Sequence, residues 1–247
     1  MLLDLELKRF VGRCSVCGRE FDAMSFAGIT KKACDGCIER RDINERNAKN
    51  AEAARVRNAA MSAERWSELC PRSYRTKSEG GLTDFERLSD EARSVLDKLR
   101  SGAIPEERGG LLRGEAGTGK TRGMWRLLRK RFEKGQTIQA MTSGEFERSF
   151  REASGGHSIK PWFDALAGCD CLFIDDLGKS RWSDNCLSSF FDLVEARVAA
   201  GFPVFLTTNY TRETLEQKLS VGSDLFGPLI RRIVENCELI LLSKGNQ

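Results

Sequence analysis

The chain has no run approaching the roughly 18 uninterrupted apolar residues that a membrane span requires, and it has no internal repeat or low-complexity tract. Its amino terminus, Met1-Leu2-Leu3-Asp4-Leu5-Glu6, carries acid where a secretory signal would carry base. Together these absences argue against a spanning or exported protein, so the expected location is the cytoplasm, away from any membrane. Strong charge of either sign is also missing. A formal net charge of +4 is too mild to make the whole surface a nucleic-acid ligand, so any such contact must be a local patch. There is a single histidine, His157, in a Gly-Gly-His loop, and it reads as incidental rather than catalytic. Cys70, Cys169, Cys171, Cys186 and Cys237 are spread singly or nearly so. With no signal peptide they do not form a disulfide framework, and small buried apolar side chains are expected.

What is present is an ordinary globular balance, 40% hydrophobic and 31% charged over 247 residues, enough for one full core and a small appendage. Three regions differ in composition. Residues 1–38 hold two cysteine pairs with little periodic pattern. Residues 39–81 begin with a stretch rich in Ala, Arg, Glu and Asn that predicts a helix to about residue 66. Its large apolar residues are sparse, and a breaker-rich linker follows from Cys70-Pro71 to Gly80-Gly81. Residues 82–247 alternate short strands with helices. Strands are expected at 110–113, 137–141, 171–174, 204–207 and 239–242. Helices are expected at 83–100, 121–134, 144–153, 184–200 and 211–219, the first capped by Thr83 and Glu86. The fold class is therefore α/β: a mostly parallel sheet sandwiched by helices.

Gly114-Glu115-Ala116-Gly117-Thr118-Gly119-Lys120-Thr121 is a complete P-loop sequence between a strand and a helix. Its glycines let successive amides face the phosphates of ATP, and the helix adds its positive dipole end. Lys120 suits the β- and γ-phosphates, and the Thr121 hydroxyl suits Mg²⁺. Apolar residues at 171–174 run into Asp175-Asp176 at the carboxyl end of a strand, where α/β sheets place ligands. Asp175 is expected in the Mg²⁺ shell and Asp176 beside the attacking water. The strand at 204–207 delivers Asn209 to the same edge, where an amide can bond γ-phosphate and water or cap the following turn.

With these three motifs the chain resembles the AAA+ ATPases of the DnaC/DnaI helicase-loader and IstB type, over roughly residues 70–243. The resemblance implies a late arginine acting in trans on a neighbour's ATP. Arg232 is in the better register within Leu229-Ile230-Arg231-Arg232-Ile233 and Arg231 is the alternative. It also implies a core without a carboxyl-terminal lid domain, since few residues follow the last expected strand.

Cys14-Ser15-Val16-Cys17 and Cys34-Asp35-Gly36-Cys37 are separated by sixteen residues, 18 to 33. This is two-knuckle zinc spacing, and four thiolates would leave Zn²⁺ no open position, so a gripping role is expected and not a catalytic one. Bound as thiolates, the four would add a net charge of −2 to the count. DnaI-type loaders resemble this arrangement, with a zinc module that binds the replicative, DnaB-type helicase. Nucleic-acid contact by Lys31-Lys32 and Arg40-Arg41 is the other reading. A second candidate nucleic-acid segment, 144–163, mixes Arg148, Arg151 and Lys160 with Phe150 and Trp162, a combination suited to single-stranded DNA unless its aromatics are core. The expectation is an ATP-dependent loader of the replicative helicase, assembling as a homo-oligomer on single-stranded DNA. The alternative is an IstB-like transposition helper acting on duplex DNA.

Overall fold

The computed structural model describes residues 8–25, 32–82, 90–102, 104–105, 107–156, 158–219 and 224–242. The chain divides into two compact units, Met1–Glu64 and Arg65–Gln247. His157, Lys31, and the cap expected at Thr83 and Glu86 lie outside the described residues.

In the first unit, β1 (Lys8–Arg13) and β2 (Glu20–Ser25) form an antiparallel hairpin. The sequence reading missed it. Among the described residues a Phe10–Phe21 edge contact, with ring centroids 6.5 Å apart, packs its face, too little apolar pattern to announce two strands. The hairpin's turn carries Cys14 and Cys17, and Gly18 closes it at φ 71. Helix α1 (Asp35–Leu69) starts between Cys34 and Cys37 and runs 35 residues, longer at both ends than composition indicates. Ile43, Val56 and Met61 are exposed along it.

The second unit holds a five-stranded, wholly parallel sheet. Its strands are β3 (Gly109–Gly114), β4 (Ile138–Thr142), β5 (Cys171–Asp175), β6 (Val204–Thr208) and β7 (Cys237–Leu242), in the order β4-β5-β6-β3-β7. β5 and β6 are buried throughout, and so read as continuous apolar runs. Because all strands point one way, the residues that follow β3, β5 and β6 emerge at one edge.

Helices cover both faces. One layer is α4 (Ser143–Ser154), α5 (Lys160–Gly168), α6 (Asp184–Ala200), α7 (Arg212–Leu219) and α8 (Phe226–Asn236), packed around Phe146, Leu172, Ile174, Phe190, Leu206 and Ile233. Sequence periodicity did not separate out α5 and α8. The other layer is α2 (Asp90–Arg100) and α3 (Lys120–Glu133), which approach closely at Gly123, where a β-carbon would lie 2.1 Å from Val95. No helix among the described residues is long and apolar enough to cross a membrane.

Two readings change. The helix, whose large apolar residues are sparse, buries one of them at its end: Trp66 is 3% exposed and meets Trp125 edge-on at 5.9 Å. The breaker-rich stretch after it is not an open linker but a closed loop. Leu82 N donates to the Arg72 carbonyl at 3.0 Å and Gly81 N to that of Thr76 at 2.8 Å. A Thr76–Glu79 capping box and a Glu79–Arg129 ion pair at 3.3 Å tie it down.

Candidate functional site

Two sites can be built from the residues upward. At the carboxyl edge of the sheet, β3 turns at Gly114 into a loop whose Gly117 and Gly119 have φ of 88° and 82°, a conformation that side chains resist. Thr118 is buried and donates to the Glu115 carbonyl at 2.9 Å, pinning the loop from inside. Lys120 opens α3 and is 5% exposed. Its ammonium donates to the Gly114 and Glu115 carbonyls at 2.8 and 2.7 Å. The charge is thus kept beneath the loop, satisfied by carbonyls, although burial lowers its pKa.

Thr121, next on the helix, donates its hydroxyl to Asp175 Oδ1 at 2.8 Å. Asp175 is the last residue of β5, and the Thr207 hydroxyl of the neighbouring β6 donates to the same oxygen. Burial pushes the Asp175 pKa up, and these two hydroxyl donors only partly oppose it. A hydroxyl and a carboxylate converging beside a phosphate loop is the donor set that Mg²⁺ takes in P-loop sites, so the residues present fit that ion and a nucleotide.

Asp176 leaves the strand at φ 54, the one left-handed residue other than glycine among those described. Its amide donates to Thr207 Oγ1 at 2.9 Å, and Lys179 donates to its carboxylate at 2.8 Å. Thr208 donates to the Leu177 carbonyl at 2.8 Å. The buried pair Thr207-Thr208 therefore fixes the acidic turn from the next strand. The sequence reading used only Asn209 from this stretch, yet adjacent hydroxyls ending an apolar strand are a visible signal. Ala116, Gly117, Gly119, Lys120, Thr121, Asp176 and Asn209 line a single cleft of about 440 Å³, together with Tyr74, Arg122 and Lys179. Of the residues expected from sequence to bind ATP or Mg²⁺, Gly114, Glu115, Thr118 and Asp175 are joined to this cleft by the hydrogen bonds given above, and the rest line it.

Arg232 lies elsewhere. On α8 it pairs with Glu195 of α6 and, at 3.4 Å, with Glu235. Arg231 is exposed, with Glu235 at 3.9 Å. On α4 and α5, Phe146 and Phe150 are core, and Trp162 packs on both, donating its indole N–H to Ser149 at 3.0 Å. Phe146 and Phe150 are committed to packing, and Trp162 is half-buried against them. Arg148 is exposed, Arg151 pairs with Glu147 at 2.7 Å and Lys160 with Asp164 at 2.6 Å, so any nucleic-acid contact by these three is electrostatic.

The second site is in the first unit. Cys14, Cys17, Cys34 and Cys37 bring their sulfurs within 4.8 Å of one another, the one such cluster of metal-ligating groups among the described residues. Cys17 and Cys34 Sγ are 3.7 Å apart, close to the edge of about 3.8 Å that follows for a tetrahedron with ~2.3 Å zinc–sulfur bonds. The Cys34 amide donates to Cys14 Sγ at 3.3 Å, and such bonds hold the Cys14 pKa down to about 6. Hydrogen bonds from neighbouring thiols, Cys34 first, push Cys37 up to about 12. Four sulfurs this close cannot all ionise without a cation among them, and the donor set fits Zn²⁺.

No protein-family model matches the chain, and no curated protein sequence does. Among solved structures, AMPPCP-bound DnaA from Aquifex aeolicus aligns with a TM-score of 0.56 at 15% identity, over 72% of this chain and 52% of that one. A DnaI structure gives 0.56 at 18%, over 70% and 94%. The DnaC helicase loader gives 0.53 at 19%, over 63% and 92%. The chain thus spans about half the length of that DnaA and over nine-tenths of the DnaI and DnaC structures. These likenesses establish the fold: an α/β domain of the DnaA, DnaI and DnaC kind.

Proposed function

We propose that this chain is a Mg²⁺-dependent ATPase of the AAA+ helicase-loader type, built as a zinc module (1–38), a connecting segment (39–81) and an ATPase domain (82–247). The observation that carries the reading is the meeting of Thr121 and Asp175 at 2.8 Å beside the P-loop, with Asp176 and Asn209 in the same cleft. Lys120 and the loop amides would hold the phosphates of ATP, and Thr121 with Asp175 would hold Mg²⁺. The ion supplies charge neutralisation at the transferring phosphate. Asp176, fixed by Lys179 and Thr207, would orient and deprotonate water, and Asn209 would bond the terminal phosphate. Arg232 would serve a neighbouring subunit's ATP, as the family resemblance implies, with Arg231 the alternative.

The zinc cluster favours the loader over a transposition helper, because a closed four-thiolate site in the same chain serves as a grip for a protein partner and not as a catalyst. The partner in this reading is a DnaB-type replicative helicase in the cytoplasm, with single-stranded DNA bound by the assembled ATPase. The test is capture of the purified helicase by full-length protein, with zinc retained and after chelation, alongside ATP turnover with and without single-stranded DNA. Zinc-dependent capture with DNA-stimulated turnover is expected. Turnover without capture, stimulated instead by duplex DNA, would move the reading to an IstB-like helper. No turnover under any condition would refute the enzyme.

A further inference from the structure

Tyr74 belongs to none of the nucleotide motifs, yet it lines their cleft. It sits on the closed loop 72–82, ahead of the first helix and strand of the ATPase core. Its ring stacks on Trp125 of α3 with centroids 6.4 Å apart and planes 18° from parallel. Thr121, whose hydroxyl donates to Asp175, lines the same cleft. Packing alone would be served by phenylalanine, and a tyrosine lining the nucleotide cleft calls for another account.

The loop is held to α3 from below by contacts that do not involve the cleft. Cys70 and Trp66 are buried, Arg129 lies 5.0 Å over the Trp66 ring, and Glu79 pairs with Arg129. Above, Tyr74 is the loop's side chain in the cleft. One face of the loop therefore rests on the core, and one residue faces whatever fills the site.

We propose that Tyr74 is a nucleotide-binding residue, its hydroxyl donating to the phosphates of bound Mg-nucleotide, so that nucleotide and the 72–82 loop stabilise one another. This rests on the ATP reading above. Coupling of this kind is reciprocal: whatever the nucleotide adds to loop docking, loop docking adds to nucleotide affinity.

The test uses full-length protein, Mg²⁺ and AMPPCP, with limited trypsin digestion scored at Arg72, Arg75 and Lys77 and affinity measured by calorimetry. In the wild type, saturating nucleotide should slow cleavage at these sites about fivefold or more. Tyr74→Phe keeps the ring stack and loses only the hydroxyl. Its melting temperature without nucleotide should equal that of the wild type, and its affinity should fall about three- to tenfold, the worth of one hydrogen bond. At saturation its protection should be absent. Wild-type affinity and full protection in Tyr74→Phe would overturn the proposal while leaving the ATP site standing. If wild type and Lys120→Ala alike bind no nucleotide, the ATP reading itself fails, and this inference with it.

Discussion

At Asp175 the chain ends a fully buried strand with a carboxylate, and burial pushes its pKa up. The consequence has a definite sign. Below about pH 4, where the unfolded carboxyl is also protonated, the folded state bears no cost. As pH rises through the raised folded value, stability is lost, because the fold must then hold an ionised group away from water. Metal-free Asp175→Asn should therefore melt higher than the wild type at pH 7, with the gap closing towards pH 4, and should lose Mg²⁺-dependent turnover. A lower melting temperature at pH 7 would contradict this account. Two other residues separate binding from chemistry. Lys120→Ala should abolish nucleotide binding in calorimetry, and affinity equal to wild type would sink the P-loop assignment. Asp176→Asn should bind nucleotide nearly as wild type but turn over about 100-fold slower or worse. Equal losses in both would mean that Asp176 only shapes the loop.

At the scale of elements, the carboxyl edge is aligned by side chains that do no chemistry. Arg197 of α6 is fully buried and donates to five backbone carbonyls, those of Leu166, Ala167, Cys169, Asp170 and Pro203, at 2.6 to 3.3 Å. It joins the end of α5, the turn into β5 and the start of β6, and so sets the relative height of the strands that deliver Asp175 and Asn209. Burial lowers its pKa, but the carbonyls meet the charge. Arg197→Met should leave them unpaired and cost about 3 kcal/mol, lowering the melting temperature by about 10 °C. A shift below 2 °C would show that water replaces the guanidinium. In the first unit the corresponding element is the pair of cysteine knuckles, one on a hairpin and one opening α1. Cys34→Ser should release the metal and unfold this unit while leaving nucleotide affinity unchanged. A full zinc equivalent retained by that variant would refute the four-thiolate site.

For the whole molecule, the proposed trans-acting role of Arg232 is the feature to test. It faces α6 and is paired with Glu195, not turned towards its own cleft, so any part it plays in ATP turnover must be exerted on another subunit's site. Lys120→Ala subunits would keep this arginine, and Arg232→Ala subunits would keep the P-loop. Mixed on single-stranded DNA, the two inactive variants should recover measurable turnover. Recovery by a mixture built on Arg231→Ala instead would transfer the role to its neighbour, and no recovery by either would argue that subunits act alone.

Sequence alone determined what depends on local pattern. The P-loop was legible because a phosphate cradle needs glycine at set positions. The four-cysteine cluster was legible because two close pairs of thiols have few other uses, and the central strands β5 and β6 because strands buried on both faces are written as continuous apolar runs. It did not reveal the hairpin, whose apolar content is slight, nor the role of Arg197, whose partners are mostly backbone carbonyls and so leave little mark on residue identity. It misjudged the stretch after Trp66, where Pro71, Gly80 and Gly81 suggested an open linker. Only the tertiary structure showed those residues folding into a closed loop against α3 and bringing Tyr74 to the cleft. The aromatic stack that holds Tyr74 on α3 joins residues about fifty positions apart, and spacing along the chain does not encode such a long-range contact.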